Sequence, residues 1–377
     1  MVKKHGLLLF SLTAALLVTL IIPLGAAYGD FMQYWAAAVL VLQGKNPYDV
    51  QARGAVLEQL FPGKEPPPLY ATPPVLIFYL WFGWLPCFWA VFVWRLASAY
   101  GISWCVYQSL AAAQLLDLGR SQEAQPKLSF FSSLLSVVVL ISFMPAWQTL
   151  MLGQLSMPSL LGLAGYLTYR KTRPALAGIC LSLTLLRFQV FLPFYAAVLL
   201  GRTSLRLMGW FGAGMVLLWA LPLWVAPELY ALYAESARTA VLDWRTPTLG
   251  ALAHQYIDPA QPLWRFLPQM VAITFMVGFR LRHVTLSMGR QVLPLSLLTA
   301  PYAWSYDFIY LLPTVVLFLK NQRAFYLLGL NILLSFTLSP NHLSIWYPAA
   351  LALLAGSGGQ ESLNHAQKDN TPSESAR

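Results

Sequence analysis

Residues 7–28 read LLLFSLTAALLVTLIIPLGAAY, and no charge interrupts them. A helix that crosses the bilayer core needs ~20 predominantly apolar residues. This run meets that length, with Lys3-Lys4 before it and Gly29-Asp30 after it. The small residues Gly25-Ala26-Ala27 suggest a cleavable signal. The run is longer than a signal core of roughly 7–15 residues, so it reads as a retained first span. Similar apolar runs recur at Leu128–Leu150, Leu207–Val225 and Ala324–Leu338. Across 377 residues, 58% are hydrophobic and 10% are charged. A soluble domain carries about 25% charged residues and needs them to cover its surface. The expected fold class is therefore an all-α, polytopic transmembrane helical protein.

The net charge of +10 sits in short clusters between apolar runs. That is the positive-inside pattern of membrane proteins. No basic groove with interleaved aromatics appears, which argues against a nucleic-acid partner. Trp and Tyr, 14 and 18 in number, suit interfacial belts. Cys87, Cys105 and Cys180 lie in apolar runs without metal-ligand spacing and read as packing residues. The five histidines do not pair at ligand spacing, so neither a metal site nor a cofactor is expected. Walker, HExxH, CxxC and GxSxG motifs are absent from the sequence.

Placing the basic clusters inside puts the N-terminus in the cytoplasm and Asp30 outside. One external loop then covers about residues 30–70, and a second about 226–262. The piece Phe31–Leu42 is apolar but short, which suits a helix lying along the interface. The tail, residues 356–377, is polar and expected to be disordered. Residues 1–355 form a single transmembrane domain on this reading.

Pro174–Leu200 is apolar apart from Arg187, and basic clusters flank both ends. With both ends inside, it must form two short helices meeting near the outer face, with Arg187 at the turn. Arg187 is then either a functional cation or a side chain snorkelling to the interface. Between Tyr70 and Arg120 the orientation demands an odd number of crossings. The break at Trp84-Leu85-Pro86 suggests two helices there. The expected total is 11 to 13 spans, with 12 favoured.

The chain has 14 acidic residues, and two of them abut spanning segments directly. Asp30 ends the first span. Asp307 lies in Pro301-Tyr302-Ala303-Trp304-Ser305-Tyr306-Asp307, before the apolar run Phe308–Leu319. A carboxylate held at such a boundary suits general-base work. It also suits a plain helix end facing solvent, and both readings stay open on the residues alone.

The order of these features resembles the bacterial family 87 glycosyltransferases. The matching elements begin with Gly29-Asp30-Phe31-Met32-Gln33-Tyr34-Trp35-Ala36 and the turn Gly44-Lys45-Asn46-Pro47-Tyr48-Asp49. They continue with Tyr70-Ala71-Thr72-Pro73-Pro74, Gly153-Gln154-Leu155-Ser156, the stretch from Ala177-Gly178 to Leu186-Arg187, and Ala300-Pro301-Tyr302-Ala303-Trp304. The resemblance implies a GT-C-like fold and a polyprenyl-phosphate-sugar-dependent, mannosyltransferase-like enzyme. It implies Asp30 as the general base and Arg187 as the cation on the lipid phosphate. It also implies that Gln154, Tyr48, Asp49, Trp304, Tyr306 and Asp307 shape the substrate site. The partners implied are a polyprenyl-phosphate sugar, a lipid or glycan acceptor, and the membrane. The site would face the outside or periplasm from the cytoplasmic (inner) membrane. Two positions depart from the family pattern: Arg187 stands where Lys is usual, and Tyr306-Asp307 where a His is usual. A transporter or lipid flippase, and a catalytically inactive relative, are the alternatives.

Overall fold

The computed structural model describes residues 29–118, 138–201, 203–238, 244–281, 291–319, 324–337 and 341–354, with Thr13 and Leu16. The rest of the first span, the tail, and Lys3, Lys4, Arg120, Lys127, Arg202, Arg282, Arg290, Lys320 and Arg323 lie outside the described residues. Among the described residues every regular element is helical and no strand occurs, as expected.

The helices in chain order are α1 Asp30–Leu42, α2 Val50–Glu58, α3 Pro73–Tyr79, α4 Cys87–Leu118, α5 Met144–Leu152, α6 Ser156–Tyr169, α7 Pro174–Leu183 and α8 Phe188–Leu200. They continue with α9 Leu205–Val225, α10 Leu229–Arg238, α11 Leu249–Tyr256, α12 Leu267–Leu281, α13 Leu293–Thr299, α14 Leu312–Phe318 and α15 Ala324–Thr337. Proline opens α3, α5, α7, α13 and α14. Its fixed φ suits the first turn, where an amide N–H would have no partner in any case.

Two units can be distinguished by packing. The first comprises residues 1–188, 202–244 and 306–332, and the second 189–201, 245–305 and 333–377. Within the first, α7 packs closely on both α6 and α9. A β-carbon at Gly178 would meet the Leu207 carbonyl and lie 2.8 Å from the Phe211 nitrogen. One at Gly162 would meet the Cys180 carbonyl. Small residues let apolar helices approach backbone to backbone, which is how helices associate in lipid. In the second unit, Thr248 caps α11 by accepting from the Ala251 amide at 3.1 Å. Gln269 of α12 donates to the Gln189 carbonyl of α8 at 2.7 Å.

Among the described residues, two helical runs are long and apolar enough to cross a membrane: Pro174–Leu200 and Leu205–Val225. Helix α9 buries only Leu207 and Pro222, while Trp224 is 84% exposed. A helix apolar all round and yet unburied suits lipid as its solvent.

Two expectations need correction. Pro174–Leu200 is not two helices folded back at Arg187. It is one continuous run of 27 residues, tightened to a 3-10 stretch at Thr184–Arg187. The basic clusters at its ends predict a turn from loop statistics, but the helix runs on through Thr184–Arg187 and even through Pro193, which has no amide N–H to donate. Helix α1 does not lie out on a surface. Residues Phe31–Tyr34, Ala36–Ala38 and Leu40 are all buried within the first unit. The stretch 226–262, expected as an external loop, contains the helices α10 and α11. The break near Pro86 does occur. Before it, Pro73–Trp84 is a short apolar helix; after it, α4 runs for 32 residues.

Candidate functional site

The site is built where α1 begins, beside the link between α5 and α6. Gly153 ends α5 in a left-handed conformation, φ 67°. Glycine reaches that region without steric cost. It is required twice over here, because a β-carbon would strike the Phe31 side chain. The close approach of Gly153 to Phe31 sets the next residue, Gln154, against Asp30. The Gln154 amide Nε2 donates to Asp30 Oδ2. Tyr79 reinforces the junction by donating to the Gly153 carbonyl at 3.4 Å.

Gln154 also faces the cation. Arg187 Nη2 donates to Gln154 Oε1 at 3.5 Å. Arg187 Nε lies 3.7 Å from Asp307 Oδ1. The same Asp307 oxygen accepts from the Ser156 hydroxyl at 2.7 Å. Tyr306 completes the ring of contacts. Its hydroxyl lies 3.5 Å from Asp30 Oδ2, and the Arg187 guanidinium carbon is 5.8 Å from its ring centroid. Thr149 holds that tyrosine's backbone, with its hydroxyl 3.4 Å from the Tyr306 carbonyl.

One guanidinium therefore serves two carboxylates, one directly and one through an amide. Polar atoms are left over, and Arg187 Nε has the Asp307 ion pair but no hydrogen bond. Asp30 Oδ1 makes no hydrogen bond among the described residues, and neither does Arg187 Nη1. Asp30 lies outside the spanning segments, and burial pushes its carboxyl above the usual range. The Gln154 bond and the Arg187 charge act in the opposite direction. A carboxylate with one oxygen held and the other free can take a proton. A guanidinium with a free edge can hold an anionic oxygen.

Of the eight residues singled out in the sequence, the structure brings together Asp30, Gln154, Arg187, Tyr306 and Asp307. Tyr48 and Asp49 have other partners. Asp49 caps α2, accepting from the amides of Gln51 at 2.8 Å and Ala52 at 3.2 Å. Tyr48 is buried and donates to the Ala71 carbonyl at 2.9 Å. The turn they close is held by Asn46, whose side chain accepts from the Tyr48 amide at 2.9 Å. Trp304 falls in the second unit. Ser156, Tyr79 and Thr149 join the site without having been singled out by sequence. Ser156 stands in the Gly-Gln element, but a serine opening a helix carries no mark of the partner it will meet.

Among the described residues no group of His, Cys, Asp and Glu could hold a metal ion. The family model of glycosyltransferase family 87 matches residues 70–340, more than half of the chain. Gln154, Ser156, Arg187, Tyr306 and Asp307 fall inside the match, and Asp30 precedes it. No curated protein and no solved structure matches the chain. A family whose model spans the residues that hold Arg187 gives the cluster its context, and the chain belongs to glycosyltransferase family 87.

Proposed function

We propose that this glycosyltransferase moves a hexose, mannose by the family resemblance, from a polyprenyl-phosphate donor to a lipid or glycan acceptor. Asp30 acts as the general base. Its free Oδ1 takes the proton of the acceptor hydroxyl as that oxygen attacks C1 of the sugar. The C1–O bond to the phosphate breaks as the new bond forms on the opposite face, so the anomeric configuration inverts. The leaving group is already an anionic lipid phosphate and needs a cation more than an acid. Arg187 offers its free Nη1 edge for that purpose. No metal and no cofactor takes part.

The observation that carries this reading is the Gln154 bridge, which fixes base and cation in one constellation. Pre-positioned groups convert binding into rate, because their ordering is complete before the reaction. Asp307 and Ser156 hold Arg187 from behind and leave its outer edge for substrate. Tyr48 and Asp49 would act as outer parts of the substrate site.

The proposed topology is a single polytopic GT-C-like domain of about 12 spans in the cytoplasmic (inner) membrane, with its site open to the outside. Pro73–Trp84 is too short to cross, since 12 residues of helix cover only ~18 Å of a ~30 Å core. Helix α4 then supplies the odd crossing that the orientation requires. A single crossing at Pro174–Leu200 places its two basic flanks on opposite sides and moves the count toward 11. It also places Arg187 near mid-span, so the site is recessed below the outer surface.

The test is transfer in membranes supplied with polyprenyl-phosphate mannose, comparing wild type with Asp30→Asn. The expected result is transfer by wild type and a loss of roughly 10³-fold or more in the variant. Equal transfer by both would remove Asp30 from the mechanism. For orientation, Asp49→Cys should react with a membrane-impermeant maleimide added outside intact cells, and protection there would invert the topology.

A further inference from the structure

Helix α4 carries a cluster of buried hydrogen-bond donors that the Asp30 site does not use. Positions 94, 95 and 98 fall within about 100° of arc on a helix. Trp94, Arg95 and Ser98 are 4%, 1% and 0% exposed. Trp94 Nε1, both terminal nitrogens of Arg95 and Ser98 Oγ are buried without a hydrogen-bond partner. Arg95 also forms no ion pair among the described residues. In contrast, Arg187 has Asp307 and Gln154, and Arg53 donates to Gln33 at 2.7 Å and to the Pro67 carbonyl at 2.9 Å.

A buried guanidinium with no partner is among the costliest arrangements a protein can hold. Buried polar groups are otherwise satisfied almost without exception. Every group in this turn can donate, and two of the three can do nothing else. The complement of such a set is an anion with several acceptor oxygens. The geometry points to a second anion site at the turn Trp94–Ser98, one that takes the phosphate head of a membrane lipid. Arg95 supplies the charge and a planar pair of donors, and Trp94 and Ser98 supply one donor each.

A lipid is favoured as the source by where the turn lies. Trp81, Trp84, Phe88 and Trp89 are exposed just upstream. Exposed aromatics of this kind mark the level of the headgroups. Arg95 lies about 9 Å further along the helix than Trp89, within reach of a headgroup phosphate whose chain stays in the bilayer. Trp94 packs against Tyr79 with ring centroids 4.8 Å apart, and against Phe31 at 5.8 Å. The cluster therefore adjoins the residues that position Asp30, but it does not depend on the transfer reaction.

The test uses the purified full-length protein in neutral detergent and reads its thermal midpoint. Dodecyl phosphate, inorganic phosphate and uncharged dodecanol are compared on wild type, Arg95→Met, Ser98→Ala and Asp30→Asn. At about 100-fold above Kd, dodecyl phosphate should raise the wild-type midpoint by roughly 3–5 °C, and dodecanol should not. Arg95→Met should lower the shift to what the Arg187 site alone supplies and, without anion, melt at or above wild type, because it removes an uncompensated charge. Ser98→Ala should weaken binding roughly tenfold, while Asp30→Asn should bind as wild type does. An equal shift with inorganic phosphate would support the anion site and make the free anion its ligand. The proposal is overturned by no anion-dependent shift in wild type, by an equal shift in Arg95→Met, by an unchanged affinity in Ser98→Ala, or by an anion-free Arg95→Met that melts well below wild type. Because the readout is binding, loss of transfer in Asp30→Asn leaves it unaffected.

Discussion

Gln154 donates its side-chain amide to the Asp30 carboxylate, and the two residues, 124 positions apart in the chain, are held together by the approach of Gly153 to Phe31. The same amide's oxygen accepts from Arg187. Gln154→Ala removes both bonds and lets base and cation drift independently. Transfer should fall about 10²-fold, since small misplacements of catalytic groups cost that much. Initial rates at saturating donor in membranes check this, and a loss under threefold would remove the bridge from the mechanism.

Gly153 and Gly44 have the same φ of 67°, but only Gly153 has a neighbour where a β-carbon would go. Gly44→Ala should cost about 1 kcal/mol of stability from left-handed strain alone, and should leave transfer intact. Gly153→Ala carries that strain plus a collision with Phe31. It should cost roughly 3 kcal/mol and reduce transfer as well. Thermal unfolding in detergent, paired with transfer rates, separates the two cases.

Asp307 Oδ1 takes both the Ser156 hydroxyl and the Arg187 Nε contact. Asp307→Asn should cost about 3 kcal/mol and raise KM for the donor, because Arg187 loses its buried counter-charge. Ser156→Ala should cost about 1 kcal/mol. The double variant should lose less than the sum, because both contacts act through the same oxygen. Strict additivity in the cycle would show that Ser156 and Arg187 are not coupled through Asp307.

Tyr306 contributes a long hydroxyl contact to Asp30 and a ring beside Arg187. A 3.5 Å contact is weak, so Tyr306→Phe should retain transfer within about fivefold. Tyr306→Ala removes the ring as well and should lose tenfold or more. Equal losses in the two variants would assign the role to the hydroxyl.

Burial raises the Asp30 carboxyl above the ordinary aspartate range, against the pull of Gln154 and Arg187. The base works only when deprotonated. Transfer should therefore fall on acidification, with a midpoint above the ~3.9 of a free aspartate. Gln154→Ala removes a bond that favours the charged form, and should move that midpoint upward. A pH profile of kcat/KM for the two proteins tests the sign.

Much of the fold is legible in the amino-acid sequence alone. A sequence with 10% charged residues cannot cover a water-facing surface, and runs such as residues 205–225 specify helices by length and composition. Asp30 is visible as a carboxylate at the end of the first apolar run, and Pro86 as a break. The fate of Pro174–Leu200 is not legible. Basic flanks bias the sides on which loops settle, but they exert no force that turns a helix, and this run stays helical even through Pro193. The motif around Tyr48 and Asp49 reads as substrate contact by resemblance, and the structure adds turn and cap bonds that no resemblance announced.

The sequence by itself determined the apolar character, the helical class and the few polar residues available for chemistry, because each follows from local composition and periodicity. Only the tertiary structure decided which of those residues meet. Asp30, Gln154, Arg187 and Asp307 come from four distant stretches, and no local rule encodes a distance between them. Arg95 shows the same limit in reverse. In the sequence it is one cation in an apolar helix, free to reach the interface, and packing alone leaves it buried without a partner.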